Sequence, residues 1–130
     1  GTYGTVGATL VHIANAQDGY AARFFGTSRR ERLTEEPFPE FGALDEHFAN
    51  SDAALLEAAA QVARGHTVQV TGDDPPGTWT MPAALLLLQA VVHGIEHRSQ
   101  IATILTQIGV TPPGMEGWDF FFDAGHMAPV

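Results

Sequence analysis

Residues 83–109, AALLLLQAVVHGIEHRSQIATILTQIG, decide the fold. Apolar residues recur there at helical spacing, and the pattern predicts one long helix over about Pro82–Ile108. Pro82 suits a first helical turn, and Gly109 stops the helix ahead of Pro112 and Pro113. His93 and His97 lie four residues apart, so both imidazoles share one helix face. Two imidazoles on an apolar surface are costly to bury without partners. A divalent metal is a suitable partner, because neutral imidazole is its commonest ligand. Gly94, Ile95 and Glu96 separate the pair. The glutamate that directly follows the first histidine in H-E-x-x-H metalloproteases is missing, which excludes that reading.

Two further helices are predicted N-terminal to this one. Val6, Leu10, Ile13, Tyr20 and Phe24 mark a helix over about Thr5–Phe25, stopped at Gly26. Leu55, Leu56, Ala59 and Val62 mark a second, starting at Asp45 or Ser51 and ending near Arg64. Ser51 and Asp52 are its N-cap candidates and Gly65 its C-cap candidate. Thr27 to Gly42 reads as a surface connection. In His66–Met81 the alternation of TVQV and TWTM around GDDPPG permits a small hairpin, marginal if left alone. The tail carries Trp118, Phe120, Phe121 and Phe122, and so many aromatics suggest packing on the body or on a neighbouring chain. The pattern implies an all-α fold, a helix bundle forming a single domain over residues 1–130.

A metal held by two histidines needs a third ligand. His12, flanked by Leu10, Val11 and Ile13, sits at the boundary of an apolar stripe and can face the bundle interior. His12, His93 and His97 would form a three-histidine site with an open position. Gln89, Gln100 and Ile104 share the face of the pair. Gln100 is the candidate to hold a ligand or metal-bound water, with a half-buried polar role as the alternative. Glu96 reads as a solvated residue or an imidazole partner, and Arg98 as a surface ion pair or an anion contact. His47, His66 and His126 read as surface histidines, with His126 able to reach the site if the tail folds back.

Composition narrows the chemistry. The chain has 130 residues, no cysteine, and a formal net charge of −9 with six arginines and no lysine. Disulfides, a cysteine nucleophile and thiolate ligands from the protein are excluded. So acidic a chain is a poor partner for nucleic acid. The single basic cluster, Arg29-Arg30-Glu31-Arg32, is interrupted and reads as a loop or helix-end feature. The longest apolar run is too short to span a bilayer, and no segment reads as a signal peptide, so a cytoplasmic location is expected.

The stretch HGIEHRSQIATILTQIGVTPP resembles the H-x-x-x-H-R-x-Q-I signature, with its following L-x-x-x-G and Pro, of the DinB/YfiT-like superfamily. TVGATLVHIANAQDGYAARFFG resembles the second helix of that family, where a histidine follows a short apolar run. The resemblance implies an up-down four-helix bundle with a divalent metal, Zn or Ni foremost, on His12, His93 and His97. It also implies a helix ahead of the segment that opens this chain, so the three-helix body is expected to be N-terminally incomplete and to form a homodimer over the surface left open. The family includes mycothiol-dependent maleylpyruvate isomerase and bacillithiol S-transferases. That implies a low-molecular-weight thiol co-substrate, with transfer of the thiol or isomerisation through its adduct. The alternatives are metal-assisted hydrolysis, disfavoured by the lack of a glutamate base beside the pair, and a non-catalytic, stress-associated metal-binding module.

Overall fold

The computed structural model describes residues 3–73, 76–115, 117–118, 121, 124–125 and 127. Three helices carry the fold: α1 (Val6–Phe25), α2 (Phe41–Gln61) and α3 (Ala83–Gln107). Two strands, β1 (Thr67–Asp73) and β2 (Pro76–Pro82), lie between α2 and α3 in sequence.

The first and third helices fall where the periodicity predicts them. Thr5 caps α1, its side chain accepting from Ala8 N–H at 3.1 Å. Gly26 ends it at φ 66°, a left-handed conformation that suits glycine. α1 is central: its buried residues run almost all round it, and it packs on both α2 and α3, which touch each other little.

The start of α2 differs from expectation. It begins at Phe41, so Ser51 and Asp52 are mid-helix and cap nothing. Ser51 is fully buried, and its hydroxyl donates back to the carbonyls of His47 and Phe48, each at 3.1 Å. That back-bonding satisfies a serine inside a helix. Asp52 accepts from the Gln17 amide. Gly65 lies past the helix end, where Val62 has already turned extended.

The all-α reading is corrected by the hairpin. β1 and β2 pair antiparallel, with Val68 opposite Met81, Val70 opposite Trp79 and Thr71 opposite Thr78. The tertiary structure supplies what so short a sheet lacks alone. Val68 is buried in a cluster with Phe24, Ala58, Ala83 and Leu86, and Val70 and Met81 pack against it. Burying a valine of this kind contributes on the order of 1.5–3 kcal/mol. The hairpin thus closes one end of the helices. A second cluster, Val11, Ala14 and Leu44, joins α1 to α2.

One side-chain expectation also changes. His47 is buried inside α2, and its Nε2 has no hydrogen-bond partner among the described residues. Trp118 is 62% exposed, with the Phe121 ring edge-on to it at 5.9 Å. Phe120, Phe122 and His126 lie outside the described residues.

Candidate metal centre

α1 and α3 face each other across three imidazoles. His12 comes from the middle of α1, and His93 and His97 from adjacent turns of α3. His97 is buried and the other two are half-buried. One ring nitrogen from each lies within 4.8 Å of the other two. The Nε2 atoms of His12 and His93 are 3.1 Å apart. Two nitrogens ~2.1 Å from a shared ion, at angles between octahedral and tetrahedral, stand roughly 3.0–3.4 Å apart. The spacing fits a common ion.

The protonation pattern also fits. Burial is the main cause that holds His12 and His93 below the usual histidine pKa, and the charge of His97 adds to it. Both rings therefore favour the neutral form, which has a lone pair to give. For His97 the tautomer follows from its neighbours. The Gln100 side chain presents Oε1 to the backbone N–H of Tyr3 at 3.1 Å, and that group can only donate. The same oxygen is 3.0 Å from His97 Nδ1. An amide oxygen only accepts, so Nδ1 carries the proton, and in the neutral ring the lone pair is on Nε2. Gln100 therefore orients a histidine, and any hold on a ligand falls to its amide nitrogen.

Tyr3 is the residue that the sequence did not reveal. Its ring stacks on His12 at 4.0 Å and meets His97 edge-on at 5.6 Å. Its hydroxyl donates to Glu35 at 2.8 Å, a bond that raises the phenol pKa and keeps it protonated. Tyr3 has no periodicity and no motif around it, so nothing local marked it. Tyr20 adds an edge contact to His93 at 5.7 Å. Glu96 and Arg98 are exposed, and Arg98 lies along Gly94 without an ion pair among the described residues. His66 lies away from the site, with its ring edge on Phe24.

Among the described residues, no helix is long and apolar enough to cross a membrane. Comparison with curated proteins gave no match, and comparison with solved structures gave none either. The family comparison did: residues 1–125 match the model of the DinB family. That span includes the helix carrying His12, the helix carrying His93 and His97, and the hairpin between α2 and α3. A match over nearly the whole chain establishes that this protein belongs to the DinB family.

Proposed function

We propose that the protein is a divalent-metal-dependent enzyme that transfers a low-molecular-weight thiol, or isomerises a substrate through its thiol adduct. The observation that carries this reading is the convergence of His12, His93 and His97, three neutral nitrogen donors with no carboxylate among them. A divalent ion on such a set supplies Lewis acidity and keeps its full double positive charge, which favours an anionic thiolate over a neutral partner. Zn and Ni suit these ligands.

The chain's own residues do the rest. His12, His93 and His97 hold the ion. Gln100 sets the His97 tautomer and ring angle through Nδ1. Tyr3 covers the His12 face and limits water there, while its proton stays on the phenol beside Glu35. With no cysteine in the protein, the thiol comes with a co-substrate.

We place this chemistry in a four-helix arrangement completed by a second copy. Leu85, Leu88, Val92 and Ile95 form an exposed apolar stripe on α3 at three- and four-residue spacing. Such spacing is the seam of helix-on-helix packing. On another face of α3, a groove of about 500 Å³ between α2 and α3 is lined by Leu55, Leu56, Leu87 and Val91.

The test is to load the purified protein with Zn or Ni and offer mycothiol, bacillithiol or glutathione with a panel of small electrophiles. Conjugation that depends on metal and is lost in His93→Ala supports the reading. No acceleration with any of the three thiols moves the assignment to a non-catalytic metal-binding module.

A further inference from the structure

Beside the histidines lies a second concavity. It has a volume of about 220 Å³, and His12 forms part of its wall. Asn15, Tyr20, Arg23, Arg29 and Arg32 also line it, and among the described residues no carboxylate does. The chain holds fifteen acidic residues and only six arginines. Three of those six meet here. The one ion pair among the described residues is Arg30 with Asp18, so none of the pocket's three arginines has an acidic partner.

The arrangement is built rather than accidental. Asn15 and Asp18 are buried polar residues on one face of α1. Asn15 grips the backbone of Leu33 twice, donating to its carbonyl at 2.9 Å and accepting its N–H at 3.0 Å. Asp18 accepts the N–H of Arg30 at 3.0 Å. The two clamps bracket the segment that contains Arg32 and adjoins Arg29. Gly19 supplies the space: a methyl group there would lie 3.0 Å from the Arg29 guanidinium carbon and 3.2 Å from Arg23 Nη1. Arg23 is further held by its own donation to the Gly19 carbonyl at 3.2 Å. Burial chiefly, and the nearby Arg29 charge after it, lower the pKa of Arg23.

We propose that this pocket binds the anionic end, carboxylate or phosphate, of a small molecule whose other end reaches the histidine centre. Guanidinium forks match the paired oxygens of either group. The inference deepens the thiol-transfer reading by assigning a charge to the co-substrate or substrate. It depends on that reading only for what lies at the far end.

Calorimetry on metal-free protein tests the pocket by itself. The probes are succinate, inorganic phosphate and uncharged succinamide, at low salt. Succinate or phosphate should bind and succinamide should not, and the stronger of the two anions identifies the group. Arg29→Gln combined with Arg32→Gln should weaken the anion roughly tenfold or more. Zn affinity should not fall, because neither arginine is a ligand and the Arg32 charge opposes positive charge at His12. His93→Ala should lose Zn and retain the anion. Equal anion binding in the double variant and the parent, or no preference over succinamide, would overturn the proposal. A second arm uses Co(II)-loaded protein with mercaptosuccinate and mercaptoethanol. Mercaptosuccinate should saturate the visible spectral change at a tenfold or more lower concentration, roughly, and the advantage should vanish in the double variant. If neither thiol alters the spectrum while succinate still binds through the arginines, the thiol reading falls and the anion pocket stands. If both thiols act alike in parent and double variant, the pocket falls and the thiol reading stands.

Discussion

Gln100 Oε1 accepts from His97 Nδ1 at 3.0 Å while it also accepts the backbone N–H of Tyr3 at 3.1 Å. One oxygen thus ties α3, a histidine of the cluster and the segment before α1 together. Removing it in Gln100→Ala should lower Zn affinity about 10–100-fold with little change in helicity. Gln100→Glu, which keeps an acceptor, should restore most of it. Competition against a chromophoric chelator measures both, and unchanged affinity in Gln100→Ala would remove the orienting role.

His12→Ala, His93→Ala and His97→Ala should each cut divalent-metal affinity sharply, since two imidazoles remain where three converged. His12→Ala and His93→Ala should leave the far-ultraviolet circular dichroism intact, because both residues are only half-buried. Metal content after dialysis against excess Zn is the measurement. A parent protein that retains no metal would refute the centre altogether.

The pH dependence of the metal-free protein follows from the same cluster. His12 and His93 bind protons less readily when folded than when unfolded. Their contribution is therefore complete above about pH 6.5 and declines as the pH falls through the lower folded values. Urea midpoints measured between pH 8 and pH 5 should fall on acidification. The fall should be shallower in a His12→Gln, His93→Gln double variant, and identical slopes would contradict the account.

His47 offers a stability test remote from the metal. Its buried Nε2 lacks a partner, which costs about 1–3 kcal/mol. His47→Leu replaces it with an apolar side chain and should raise the urea midpoint by about 1 kcal/mol of stability. A lower midpoint would show that the imidazole is satisfied in solution.

The apolar stripe on α3 predicts self-association. Sedimentation at micromolar concentration should show a dimer, and Leu88→Glu with Val92→Glu should convert it to monomer without unfolding. A monomeric parent protein would remove the second copy from the proposed four-helix arrangement.

The extent of α1 and α3, and the pairing of His93 with His97, were legible from sequence because each depends only on spacing along one chain segment. Thr5, Gly26, Pro82 and Gly109 punctuate those helices by local backbone preference, which acts wherever the residue sits. The meeting of His12 with that pair was reached by pattern and resemblance, and the packing of α1 on α3 realises it. Ser51 misled because its hydroxyl serves a cap or an i−4 carbonyl equally well, and only burial against α1 selects the second. The hairpin was marginal on paper because its stability comes from Phe24, Ala58 and Leu86, all outside it in sequence. Tyr3, Glu35 and the arginines of the 27–40 connection carry no periodic signal at all. Their positions beside His12 come from long-range clamps, Gln100 on Tyr3 and Asn15 on Leu33, and contacts of that kind exist only once the chain has folded.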